Sequence, residues 1–194
     1  ARNRRRSDRL SFVILRVGGP RRLRSTMSWQ TVSFHASPKV MSASVFSLRR
    51  PGDAQVQRVL EVQRELPFTY LEVGAIESNI PPGYLTNSTR AELGSGEKLY
   101  ESAVSALREW RQFDVGWVDL CWPTTVPETG AVVGVLARAW GMWALSVSRI
   151  VAVIDERTAA GRRFAVIYGT LPQHVESGEE RFQITWNRDD DAVW

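Results

Sequence analysis

The sequence predicts an α+β domain in which two helices cover the apolar face of an antiparallel meander. Three observations lead there. Two helical patterns occupy the first part of the chain, and five strand-like runs with short links follow them. Over 194 residues, 43% hydrophobic and 24% charged content is that of a globular chain long enough to bury its own core.

The elements follow in order. Residues 42–50 read as a short strand whose apolar content is Val45, Phe46 and Leu48. Pro51 and Asp53 open a helix that runs to Leu66, with Val56, Val59, Leu60 and Val62 along one side, and Leu66-Pro67 stops it. A loop over 67–83 ends in the stiff Ile80-Pro81-Pro82-Gly83-Tyr84. Residues 84–93 read as a polar strand. A second helix is predicted over 96–112: Ser95 can cap it, Glu97 suits its positive end, and Leu99, Ala103, Leu107 and Trp110 recur at helical steps. The period then changes to that of strands, at 116–122, 132–140, 143–155, 164–171 and 181–186, each bounded by Gly, Pro or charged turns. Gly141-Met142 and Thr158 to Gly161 are tight connections, and 187–191 is a polar turn before Ala192-Val193-Trp194. Short links between successive strands imply antiparallel pairing.

The formal net charge of +4 is misleading. Residues 1–26 carry nine arginines against Asp8, a net +8, so the remainder carries −4. Phosphate backbones are gripped by clustered Lys and Arg on a folded surface, so nucleic-acid binding by the folded domain is not expected. The basic leader has three readings: an organelle transit peptide, a disordered basic arm, or sequence upstream of a true start at Met27 or Met41. The last is preferred, and the expected compartment is then the cytoplasm; a transit peptide would make it an organelle. No apolar run is long enough to span a bilayer. One cysteine and two histidines exclude Cys-rich and multi-histidine metal centres, and no cofactor fingerprint or nucleophile elbow is present, so neither a metal nor a cofactor is expected. Cys121 lies among apolar residues and reads as an inert core thiol.

Alternation singles out one residue. In the run from Trp143 to Asp155 the odd positions are Trp143, Leu145, Val147, Arg149, Val151 and Val153, which sets Arg149 on an apolar face unless a bulge intervenes. A guanidinium there needs an anionic ligand or a carboxylate such as Glu176, Glu179 or Glu180. Eight tryptophans would also suit an aromatic-lined pocket, although aromatic residues are more often core. Arg149, Trp117, Trp143 and Tyr168 are therefore the expected ligand-binding residues. Tyr168, His174 and Glu176 form a weaker acid/base set, His174 standing in a strand-connecting loop among acids.

Several motifs are similar to those of the DUF1990 (UPF0548) family: Phe46-Ser47-Leu48-Arg49-Arg50-Pro51, Pro81-Pro82-Gly83-Tyr84, Leu93-Gly94-Ser95-Gly96, Trp110-Arg111-Gln112-Phe113 with Gly116-Trp117, Ser148-Arg149-Ile150-Val151, and Tyr168-Gly169-Thr170-Leu171-Pro172 through Gly178-Glu179-Glu180-Arg181-Phe182. The resemblance covers 44–194 as one domain and leaves 1–43 outside it as a disordered leader. It implies no established activity. It implies a helix-grip architecture, as in START-related and polyketide-cyclase-like proteins, with a curved antiparallel sheet around an apolar cavity. It also implies a basic C-terminal helix beyond Val193-Trp194, which this chain lacks. The leading expectation is a domain that binds a small hydrophobic or anionic molecule in a sheet-and-helix cavity. The alternatives are an enzyme using Tyr168, His174 and Glu176, or a protein–protein interaction module; the oligomeric state is left open.

Overall fold

The computed structural model describes residues 46–122, 126–139 and 141–194, together with the backbone of 28–34. Its centre is a strongly curled antiparallel sheet, a half-barrel, accompanied by two helices. The strands are β1 (Ser28–Phe34), β2 (Phe46–Ser47), β3 (Tyr84–Thr89), β4 (Gly94–Ser95), β5 (Val118–Cys121), β6 (Val132–Ala139), β7 (Met142–Arg157), β8 (Gly161–Thr170), β9 (Gly178–Asn187) and β10 (Ala192–Val193). The helices are α1 (Asp53–Arg64) and α2 (Glu97–Arg108). The main sheet runs β3-β1-β9-β8-β7-β6-β5, with β2 added to β7 and β10 joining β9 to β4. The expected α+β meander is therefore present, β6 to β9 forming its continuous middle. β1 takes its place between β9 and β3, so the sheet reaches upstream of residue 44 into the expected leader segment. The rest of the leader, and with it the proposed start at Met27 or Met41, lies outside the described residues.

Local details depart from the sequence expectations for identifiable reasons. Ser95 does not cap α2. It pairs with Ala192 in the β4–β10 ladder, and Gly96, at φ 100°, is the residue before the first turn. α2 ends at Arg108 rather than reaching 112, because Trp110 adopts a left-handed φ of 63° and the chain continues as a short 3-10 helix over Arg111–Phe113. The apolar spacing that suggested one helix survives this break: Ala103, Leu107 and Trp110 are all buried.

The pleat gives the sheet two covered faces. On one, α2 and the 3-10 turn bury Tyr100, Leu107 and Trp110 against Val133, Ile150, Phe164, Val166, Tyr168, Phe182 and Ile184. On the other, α1 buries Val56 and Leu60 against Cys121, Leu136, Leu145, Val147 and Leu171. Leu136 and Leu145 are register partners, as are Val133 and Ser148, so the two sets stand on opposite sides of one regular ladder. Gly134 lets α1 approach, since a β-carbon there would lie 3.0 Å from Leu60 and 3.3 Å from Cys121.

The segment 66–77 continues the α1 side and seats Phe68 and Tyr70 over Gly169. A β-carbon at 169 would fall 2.2 Å from Tyr70 Oη and 2.7 Å from the Phe68 ring. Gly169→Ala is expected to cost about 1–3 kcal/mol by overpacking, read as a lowered urea midpoint. A midpoint unchanged within error would mean that 66–77 does not rest on the sheet.

Candidate functional site

The pleat decides which of the sequence-selected residues can act together. In the β7–β8 ladder Ile150 pairs with Tyr168 and Arg149 with Gly169, so Tyr168 belongs to the α2 face and Arg149 to the α1 face. Trp143 is also on the α1 side, packed against that cluster beneath the guanidiniums of Arg50 and Arg138. Trp117 precedes β5 and is 43% exposed. The register of β7 shifts between Ile150 and Ala152, so the odd-numbered apolar stripe does not stay on one face. Leu145 and Val147 share the side of Arg149, whereas Val153 packs with the α2 cluster.

Charged groups on the α1 face have partners built from the chain. Arg149 reaches the end of α1, where its Nη2 donates to the carbonyls of Arg64 at 2.5 Å, Leu66 at 2.9 Å and Gln63 at 3.4 Å. The guanidinium also lies 5.1 Å from the Phe68 ring centroid. A cation at the negative end of a helix satisfies carbonyls that have no partner within the helix. Glu179, 3% exposed, accepts from Tyr70 Oη at 3.0 Å, Gly74 N at 2.5 Å and Ile76 N at 3.0 Å. Glu77 bonds Arg163 and Arg181; burial pushes its carboxyl up, but the two guanidiniums outweigh that and hold it below its ordinary value.

The α2 face carries a different arrangement. Tyr168 is packed among Trp110, Phe113 and Phe182, with ring centroids 6.2, 6.3 and 5.5 Å away. Its hydroxyl accepts from Gln112 Nε2 at 2.8 Å, and burial raises its pKa far above the ordinary value. Gln112 is 1% exposed, and its Oε1 has no hydrogen-bond partner among the described residues. Glu180 is the register partner of Tyr168 and faces the same way. Among the described residues its carboxyl has neither a hydrogen bond nor an ion pair, and it is partly solvent-accessible. Burial, reinforced by the charge of Glu176, pushes its pKa up to about 7.

His174 lies in the β8–β9 connection, where its Nδ1 accepts from the Glu176 backbone N–H at 3.0 Å. Burial lowers its pKa to about 4, only partly opposed by the Glu176 carbonyl, so the neutral ring carries its proton on Nε2. The imidazole is thus oriented by the backbone of Glu176 and not by its carboxylate. Tyr168, His174 and Glu176 fall at one end of the β8–β9 hairpin, and Glu180 and Gln112 join them. Sequence reasoning missed Gln112 and named Glu180 only as a possible partner of Arg149. The signal for Glu180 was present: Glu180, Phe182, Ile184 and Trp186 alternate along β9 as Arg149 does along β7. Gln112 gave no such sign, because its burial depends on the left-handed turn at Trp110.

Trp110 and Phe113 also line an open depression of about 670 Å³ together with Arg50, Asp114, Val118 and Leu120. No cluster of metal-ligating side chains occurs among the described residues. The Cys121 thiol is buried, and burial raises its pKa, which keeps it protonated.

Residues 69–194 match the family described as "Domain of unknown function (DUF1990)". The chain belongs to the DUF1990 family. Its similarity to curated proteins agrees: it is 35% identical over 160 residues to a UPF0548 protein of Dictyostelium discoideum, covering 77% of this chain and 74% of that one. A UPF0548 protein of Deinococcus radiodurans is 33% identical over 165 residues, 77% and 79% of the two chains. One from Arabidopsis thaliana is 32% identical over 104 residues, 53% and 50%. No solved structure matches significantly. The DUF1990 match takes in Arg149, Tyr168, Glu179 and Glu180, and thus both faces of the sheet.

Two outcomes follow for this DUF1990 domain. Arg149→Ala removes the guanidinium from the end of α1 and is expected to cost about 2 kcal/mol in urea unfolding, with Arg149→Lys in between. A loss below about 0.5 kcal/mol would place the α1 carbonyls in water instead. The second concerns pH. Folding raises the affinity of Glu180 for a proton, so its contribution is whole below about pH 4.5 and is lost as pH rises through about 7. His174 works in the other sense, its contribution being whole above about 6.5 and lost as pH falls towards 4. Glu180→Gln is therefore expected to raise the urea midpoint at about pH 8 relative to that at about pH 5.5, compared with the parent protein. The same pH difference in both proteins would show that Glu180 ionises as an ordinary carboxyl.

Proposed function

We propose that this chain is a binding domain for a small, largely apolar molecule, received on the α2 face where aromatic rings meet the carboxyl of Glu180. The observation that carries this reading is Glu180 itself. A carboxyl partly withdrawn from water and left without a donor among the described residues carries a cost, and the neighbouring Glu179 shows that this fold can supply donors where it uses them structurally. Groups with strongly displaced proton affinity cluster at functional sites, and Glu180, Tyr168 and His174 are three such groups on adjoining strands and their connection.

Trp110 and Phe113 supply the apolar contact. They pack on Tyr168 and also border the open depression, so the rings beside the polar groups are reachable from solvent. Aromatic walls with a few convergent polar groups are the usual makeup of a small-molecule site. The sequence pointed to an anion held by Arg149; with that guanidinium on the α1 carbonyls, the polar end of this site is Glu180 and Gln112.

Native mass spectrometry and tryptophan-fluorescence titration with a panel of small apolar compounds test the reading. A binder is expected whose affinity falls about tenfold in Phe113→Ala and is unchanged in Trp143→Phe, which alters the opposite face. No binder, or one lost through Trp143→Phe and retained by Phe113→Ala, would overturn the assignment.

A further inference from the structure

The main sheet ends at β5, where a hydrogen-bonding edge runs beside a depression. Among the described residues β5 pairs with β6 alone. The Arg138 N–H donates to the Trp117 carbonyl at 3.2 Å, in the register of the Val118–Ala137 pair. Bonded and non-bonded pairs alternate along an antiparallel ladder. Asp119 and Cys121 therefore also bond towards β6, and the N–H and C=O groups of Val118 and Leu120 point outwards. A row of such groups at a sheet edge is a template for another strand.

The depression of about 670 Å³ follows that edge and reaches both of its sides. Val118, Asp119 and Leu120 all line it, although their side chains alternate between the faces of the sheet. On the α2 side Val118 and Leu120 stand with Trp110 and Phe113, whose rings lie 6.4 Å apart. On the α1 side Arg50 donates to Asp119 Oδ2 from both Nε and Nη2. Carboxylates outnumber guanidiniums around the depression. Glu109, Asp114 and Asp119 line it against Arg50 and Arg111; Arg111 is matched to Glu109 at 3.3 Å, and Arg50 to Asp119 at 3.1 Å and Asp53 at 3.6 Å.

This geometry specifies what an added strand must carry. Directly opposed residues share a face, so the two residues opposite Val118 and Leu120 point to Trp110 and Phe113, and the one between them stands opposite Asp119. The complementary order is apolar, basic, apolar. A second copy of β5 does not meet it, because antiparallel pairing through Val118 and Leu120 sets two Asp119 carboxylates opposite each other.

We propose that the open edge of β5 takes an extended segment of a partner protein as an additional antiparallel strand, the segment carrying a basic residue between two apolar ones. Main-chain bonds to Val118 and Leu120 hold the segment, and the alternating side chains select it. This surface goes beyond the small-molecule site and shares with it only Trp110 and Phe113; Glu180 takes no part.

The probe is the peptide acetyl-Thr-Thr-Val-Lys-Val-Thr-Thr-amide, added to the full chain and followed by amide chemical shifts and hydrogen exchange. Binding is expected to shift the Val118 and Leu120 amides and slow their exchange. Glutamate in place of the lysine is expected to weaken binding about fivefold. N-methylation of one valine, which removes a donor to the edge, is expected to weaken it about tenfold. Asp119→Asn, at an exposed position, is expected to bring the lysine and glutamate peptides within about twofold of each other. No binding, or equal binding of the N-methylated peptide, would overturn the added strand. Val118 and Leu120 amides already protected in the protein alone would overturn it too, since the chain itself or a second copy would then cover the edge. Binders from the apolar panel without peptide binding would leave the small-molecule reading standing and remove this one. If Asp119→Asn fails to fold, the lysine, glutamate and N-methylated peptides on the parent protein decide the matter.

Discussion

The pleat of the β7–β8 pair, interrupted once after Ile150, is the constraint on which the rest of this molecule depends. Before the irregularity the odd residues of β7 face α1; beyond it the even residues Ala152 and Ile154 take that side of the sheet and pack with Ile76 and Ile167. Without that shift Val153 would leave the α2 cluster, and Asp155 would turn away from Arg108. Because a slip of one residue exchanges the faces of everything downstream, apolar cores on both sides hold the register from two directions. α1 and α2 thus pack against one ladder from opposite sides, and neither helix shares its apolar partners with the other.

This division separates the electrostatics of the protein as well. On the α1 side, charge stabilises conformation. Arg149 ends a helix, Glu179 gathers the backbone N–H groups of the turn at 74–76, and Glu77 joins that turn to β8 and β9 through Arg163 and Arg181. The segment 66–77 has little regular structure of its own, so these bonds, with Phe68 and Tyr70 on Gly169, are what give it one shape. On the α2 side the charges at the Arg162 end of β8 are neutralised in pairs, and those at the Glu180 end are not.

The architecture was largely legible because its signals are local. The sequence of strands from β5 to β9 shows in turn residues and β-branched runs, and α1 and α2 in apolar spacing. What was not legible depends on contacts between distant segments. The end of α2 is set by a left-handed tryptophan, a conformation no residue pattern announces, and Ser95 is drawn from a cap into a ladder by β10, almost a hundred residues away. Arg149 illustrates both sides. Alternation identified it as a cation beside apolar neighbours, which is where it stands, yet its partners are main-chain carbonyls of α1, and a carbonyl acceptor leaves no mark in a sequence.

Glu179 and Glu180 make the same point within one dipeptide. They are chemically alike and adjacent, so composition, local charge and propensity treat them identically. The pleat sends them to opposite sides of the sheet. Glu179 meets three donors and becomes part of the scaffold; Glu180 stands opposite Tyr168 in the ladder, feels the charge of Glu176 and meets no donor among the described residues. A structural role explains the first completely. For the second it explains only the cost, because an apolar side chain in that position would bury more favourably against Phe182 and Tyr168. The contrast also controls for the properties of the fold: whatever general tolerance this sheet has for carboxylates, it satisfies one of the pair and leaves the other without a donor among the described residues. That asymmetry, more than any one displaced proton affinity, directs attention to the α2 face.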